Sequence, residues 1–322
     1  TRYAKFIVLP IAIVGVTAWV LLRPTPLVPK PAMPPSATLP LLLASKAEQV
    51  VKIGHVAPLT GPIAHFGKDN ENGARLAVDD ANAKRIEIDG KVIKFELLGE
   101  DDQADPKTGT IVAQKLVDAK VAGVVGHLNS GTTIPASAIY YEAGLPQISP
   151  SSTNPKYTAQ GFKTAFRVMA NDIQQGSVAG TYAVKDMGAK KIAIIDDRTA
   201  YGQGLADEVE KAAKAAGASI VAREFTHDKA TDFKAILTKI KAKNPDLVFL
   251  GGMDDVGGPM LKQMKELGIK AKFSTGDGGC TPELIKLAGG VKPPRRVEQQ
   301  VDEIEAELLA ITVKKRLDGG GA

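Results

Sequence analysis

The chain has 322 residues, 44% hydrophobic and 24% charged, with 32 glycines and 20 prolines; such a composition describes a folded α/β protein and excludes a disordered or collagen-like one. Its 41 Lys and Arg against 36 Asp and Glu give a formal charge of +5 and a pI of about 9.0. The excess sits at the start: residues 1–49 carry Arg2, Lys5, Arg23, Lys30 and Lys46 against Glu48, while residues 291–322 carry equal numbers of each sign. The body is close to neutral and has no long basic run, which argues against nucleic acid as a partner. The lone Cys280 excludes an intrachain disulfide and a cysteine-rich zinc site, and His55, His65, His127 and His227 show no metal-ligand spacing. A small-molecule binder or an enzyme remains, with no metal or cofactor signalled.

Taken in chain order, the first element is the uncharged run Phe6 to Leu22, preceded by Arg2 and Lys5 and followed by Arg23. This pattern is that of an export signal, and its length is also near the minimum for a membrane span. It predicts an exported protein, with the segment either cleaved or kept as an anchor; no cysteine near it provides a lipoprotein anchor. A proline-rich stretch, PTPLVPKPAMPPS, reads as an extended linker.

From Val50 the pattern alternates strand and helix. Strands are predicted at 50–58, 92–100, 122–128, 145–149, 191–197, 219–225, 246–252 and 271–276, several of them continuous apolar runs suited to a sheet covered on both faces. Asp105-Pro106 marks a helix start. Phe233, Ile236, Leu237 and Ile240 recur at helical spacing, and Gly268 stops the helix around Met260, Leu261, Met264 and Leu267. The alternation predicts an α/β fold of two doubly wound parallel-sheet lobes, 50–170 and 171–290, with a cleft between them. Residues 1–49 form the leader and linker; residues 291–322 form a separate amphipathic tail in which Val297, Val301, Ile304, Leu308 and Ile311 recur at steps of four and three.

Ligands of open α/β sheets sit beyond the carboxyl ends of the strands, so the loops there are where function is sought. No Walker A loop and no G-x-S-x-G elbow occurs. Gly202-Gln203-Gly204 fails as a dinucleotide fingerprint, since Asp207 stands at its third glycine position. Two loops are rich in hydroxyls, Asn129-Ser130-Gly131-Thr132-Thr133 and Pro150-Ser151-Ser152-Thr153. Near helix starts, such residues are either plain N-caps or an anion site. In the second lobe, one loop offers Tyr201, and another offers Asp277 among glycines, either a turn residue or the acid of a binding site. An acid on one lobe facing anion-binding hydroxyls on the other suits a zwitterionic amino acid.

The stretches VKIGHVAPLTGPIAHFGKDNENGARLAVDDAN, GVVGHLNSGTTIPASAIY, ISPSSTNP, DDRTAYGQG and FSTGDGG occur in this order. Over about 240 residues the sequence resembles the periplasmic leucine/isoleucine/valine-binding proteins, type I solute receptors of ABC importers. The resemblance implies that Ser130, Ser151 and Thr153 bind the α-carboxylate and α-ammonium of the ligand. It gives Asp277 the role of acidic partner of the ammonium, and Tyr201 and Phe66 that of aromatics of the second and first lobes. Met253 stands where the family often has an aromatic, and Ala104 and Asn129 stand where some members carry a disulfide. The implied function is capture of an amino acid, branched-chain or aliphatic, by a monomeric, non-enzymatic protein of the periplasm that delivers it to a membrane permease. The alternatives are a membrane-anchored sensor of the same fold and an α/β enzyme. The likeness stops near Gly290, which predicts a first lobe lacking its last strands and the second lobe as the more stable one.

Overall fold

In the computed structural model, residues 46–290 are described; the predicted leader at 6–22, the linker and the tail helix at 297–311 lie outside them. Twenty elements alternate. They begin with β1 (Glu48–Ala57), α1 (Ala64–Ala83), β2 (Glu87–Ile88), β3 (Lys91–Asp101), α2 (Pro106–Asp118) and β4 (Gly123–Gly126). There follow α3 (Ser130–Glu142), β5 (Gln147–Ser149), α4 (Lys156–Ala159), β6 (Ala165–Arg167), α5 (Asp172–Lys185), β7 (Lys191–Asp196) and α6 (Ala200–Ala215). The chain continues through β8 (Ser219–Phe225), α7 (Lys234–Ala242), β9 (Leu247–Gly251), α8 (Asp254–Glu266), β10 (Lys272–Thr275), a single 3-10 turn (Asp277–Gly279) and α9 (Pro282–Leu287).

The strands form two sheets. One has six strands in the order β2-β3-β1-β4-β5-β6, parallel apart from β2; the other has four, β10-β9-β7-β8, all parallel. All eight predicted strands are present, within a few residues of their expected ends. The two that the pattern misses, β2 and β6, are short. β2 belongs to a hairpin whose loop is Asp89-Gly90, both at positive φ; Asp-Gly is a signal for this type of turn. β6 has three residues, too few to show a period.

Local chemistry accounts for the helix boundaries. The Asp105 carboxylate accepts from the Thr108 N–H, with Pro106 at the first helical position of α2. α8 ends before Gly268, whose φ of +67° suits glycine at this C-terminal position. Phe233 caps α7 and, with Leu237 and Ile240, buries one stripe of it against β7 and β9. Ala183, Leu205, Val209, Ile192, Ile194 and Phe249 fill the opposite side of the same sheet, so β7 and β9 are apolar on both faces.

Strand number does not single out the first sheet as the deficient one, since it has six strands against four. Its surface does stay open on one side: Ile148 and Phe166, register partners on β5 and β6, are 42% and 50% exposed.

One glycine of the failed fingerprint has a different purpose. A Cβ on Gly202 would lie 2.1 Å from Asp197 Oδ1 and 2.4 Å from the Gly251 carbonyl oxygen. α6 therefore meets the end of β9 through bare backbone, and that approach seats Tyr201 under the cleft. Gly202→Ala is expected to lower stability by about 3 kcal/mol, the upper end for overpacking; thermal or urea unfolding measures it, and a loss below 1 kcal/mol would contradict the close approach.

Candidate functional site

The carboxyl ends of the two sheets converge on a small, partly open cavity of about 80 Å³. From the first sheet's side it is lined by Phe66, Asn70, Leu128, Asn129, Ser130 and Ser151; from the second's by Tyr201, Met253, Asp277 and Gly278. Six of the seven residues singled out in the sequence thus meet at one cavity. The seventh, Thr153, stands behind the wall: it is buried, its carbonyl accepts from the Asp172 N–H, and its hydroxyl has no hydrogen bond of normal geometry among the described residues.

On the first side, Ser130 opens α3, and its hydroxyl oxygen accepts from Ser152 Oγ at 3.3 Å and from the Asn154 N–H at 3.1 Å. Both partners donate, so the Ser130 proton is free to point to the cavity, which lies at the N-terminus of α3. Ser151 donates to Asn70 Oδ1 at 3.1 Å, which ties its loop to α1.

Buried polar groups hold these loops. His127 lies between Asp102 (Nδ1 to Oδ2, 3.0 Å) and the Tyr140 hydroxyl (Nε2 to Oη, 3.0 Å), all three fully buried. The His127 carbonyl accepts from Ser149 and Thr133. Arg167 donates to the carbonyls of Ser152 and Asn154 at 2.8 Å each and lies over the Tyr157 ring.

On the second side, the buried Tyr201 hydroxyl donates to Asp277 Oδ1 at 2.7 Å and accepts from the Gly278 N–H at 3.0 Å. Burial and the Asp277 charge raise the Tyr201 pKa well above its ordinary value, so it stays a donor. The Asp277 N–H is fixed by Gln175 Oε1 at 2.9 Å, and Asp277 itself remains exposed on the cavity side. The result is a carboxylate held in place with one oxygen still open. Met253 caps α8 and touches Asn129 across the cleft, Nδ2 to Sδ at 3.4 Å.

Sequence reasoning missed Asp172. Its carboxylate is fully buried, with neither oxygen in a hydrogen bond of normal geometry among the described residues. Burial pushes its pKa up to about 6; the neighbouring Thr153 hydroxyl opposes this and the Asp277 charge adds to it. In the sequence it looks like an ordinary acid in the first turn of a helix capped by Asn171, and no local signal separates the two cases. Asn70, Leu128, Asn129 and Gly278 were missed as wall residues, though Asn129 opens the hydroxyl loop already singled out and Leu128 precedes it.

A hydroxyl and a helix N-terminus on one wall, an acid on the other and the apolar Phe66, Leu128 and Met253 between them can hold a small zwitterion with an apolar side chain. Among the described residues no group of His, Cys, Asp or Glu is placed to hold a metal ion, and no helix is long and apolar enough to cross a membrane.

Comparison with known proteins gives the family. Residues 50–291 match the family model described as periplasmic binding protein. An amino acid binding protein of Pseudomonas aeruginosa is 43% identical over 249 residues, 77% of this chain and 66% of that one. The Leu/Ile/Val-binding protein homolog 1 of Brucella abortus (strain 2308) is 40% identical over 263 residues, 80% of this chain and 70% of that one. Among solved structures, a branched-chain amino acid transporter substrate binding protein of Streptococcus pneumoniae, in complex with isoleucine, superposes with a TM-score of 0.66 at 32% identity over 74% of this chain and 68% of that one. The matched region thus spans about two thirds of each relative's length.

Proposed function

We propose that this chain, which belongs to the periplasmic binding protein family, captures an amino acid with an aliphatic side chain and presents it to a membrane permease of an ABC importer. Proteins of this family are extracytoplasmic solute-binding proteins, and the Phe6–Leu22 run fits export of this one. The observation that carries the reading is the pairing of Ser130 at the start of α3 with Asp277 fixed by Tyr201 on the facing wall. The first suits a carboxylate and the second an ammonium, and an amino acid is the small molecule that carries both a short distance apart. Phe66, Leu128 and Met253 would take the side chain. Binding would close the two sheets on the ligand, with the segments joining them absorbing the rotation. The chain performs no chemistry of its own in this reading; a sensor of the same fold would use the same site and differ only in the partner that receives the closed form.

Thermal-shift screening against the twenty amino acids tests this, because a ligand that binds only the folded state raises its apparent stability. Leucine, isoleucine or valine should give the largest shifts. Ser130→Ala should then weaken binding by about 1.5–3 kcal/mol, the range for a hydrogen bond to a charged group. The decarboxylated amine of the same side chain should bind poorly to wild type and variant alike. No shift with any amino acid, or equal binding of the amine, would overturn the reading.

A further inference from the structure

Outside the cavity wall, one contact between ionisable side chains joins the two sheets' loops. His65 Nε2, in the first turn of α1, lies 2.8 Å from Oδ2 of Asp254, the first residue of α8. Of the ion pairs among the described residues, it alone links residues 46–167 to residues 172–290. Each partner is one residue away from the cavity wall: the His65 ring packs on that of Phe66 with centroids 4.3 Å apart, and Asp254 follows Met253.

The two partners differ in what they need. The Asp254 side chain is fully buried; its Oδ2 also accepts from the Thr281 hydroxyl, and its Oδ1 has no hydrogen-bond partner among the described residues. A buried carboxylate so poorly satisfied is costly unless donors meet it, and the His65 ring meets it from across the cleft. The N-terminus of α8 and Thr281 move with Asp254 as parts of the second side, whereas His65 belongs to the first and stays 38% exposed. Separating the two sides would therefore take from Asp254 its one cross-cleft partner.

We propose that His65 and Asp254 form a latch that holds the closed arrangement of the two sheets and slows release of the ligand without touching it. This rests on the proposed capture of an amino acid for its functional consequence, but the latch itself is a property of the ligand-free chain. Only a contact stronger in one conformation than in the other can shift their balance, and this pair exists only when the sides meet.

Two measurements test it. The first uses L-leucine as probe in stopped-flow and calorimetric titrations of wild type, His65→Ala, His65→Gln, Asp254→Asn and the double variant His65→Ala/Asp254→Asn. His65→Ala should speed dissociation about tenfold, as loss of a hydrogen bond to a charged group does, with association changed by less than about twofold. His65→Gln, which keeps a donor, should fall between. In the Asp254→Asn background, His65→Ala should add little. An unchanged dissociation rate, or an equal effect of His65→Ala in both backgrounds, would overturn the latch.

The second measures distances between spin labels at Lys115→Cys in α2 and Lys211→Cys in α6, both exposed sites, in a Cys280→Ser background without ligand. Wild type should populate a closed distance that His65→Ala depletes. The same distribution in both proteins would overturn the latch. Should wild type fail to bind L-leucine, the ligand reading fails on its own and the label distances still decide this one.

Discussion

Asp277→Ala is expected to weaken amino-acid binding by about 2–3 kcal/mol, thirtyfold to somewhat over a hundredfold, as loss of a charged hydrogen bond does when the site closes around it. The geometry gives the reason. Tyr201 donates to this carboxylate and Gln175 accepts from the backbone N–H of the same residue, so its orientation is settled before a ligand arrives. Pre-organisation of this kind converts more of the Coulomb attraction into affinity, because little side-chain freedom is left to lose. Asp277→Asn should recover the Tyr201 contact and not the charge, and should bind nearly as weakly as the alanine variant. Tyr201→Phe should lose much less, since the carboxylate survives and only its anchor goes. Calorimetry on the three variants separates the charge from its anchoring. Affinity in Asp277→Ala within threefold of wild type would remove Asp277 from the site.

How much of this was legible beforehand differs between fold and site. Continuous apolar strands such as 191–197 and 246–252 announce themselves because both faces of their sheet are covered. The strands that escaped, β2 and β6, are held by neighbours more than by their own pattern. At the site, Ser130, Ser151, Tyr201 and Asp277 were readable because each sits in the loop or first helical turn just past a strand, where α/β folds place their ligands. Gly202 was read only as a failed motif, and its purpose, the contact with Gly251, lies 49 residues away in sequence. His65 and Asp254 stand 189 residues apart, and neither residue has a local signature of the other. Asp172 shows a further limit: a buried acid and a capping acid are written alike, and burial is decided by the packing of α5 on α6 through Gly176 and Gly180.

That buried acid leads to an expected dependence on pH. Burial is the largest cause raising the carboxyls of Asp172, Asp197 and Asp255, each to about 6 from an ordinary value of 3.8. Below about pH 4 these groups carry their protons in the folded and unfolded chain alike and contribute no dependence. Between about 4 and 6 the unfolded chain has released them while the folded chain retains them, so the native state binds more protons and stability falls as pH rises, by up to about 1.4 kcal/mol per pH unit for each group. These three groups therefore make the ligand-free protein less stable at pH 7 than near pH 4.5, against the opposite and single contribution of His55, whose pKa burial lowers. An ammonium bound near Asp277 reverses the preference of Asp172, the one of the three whose charge is coupled to Asp277. The cation favours the ionised carboxylate, so protons compete with the ligand, and affinity should rise as pH increases through about 6. Asp172→Asn removes the buried charge while keeping its shape: the variant should be more stable than wild type at pH 7 when ligand-free, and its affinity for L-leucine should change less across pH 5 to 7. Thermal unfolding and calorimetry over that range test both halves. An affinity profile that keeps its full slope in Asp172→Asn would show that this carboxylate does not sense the ligand.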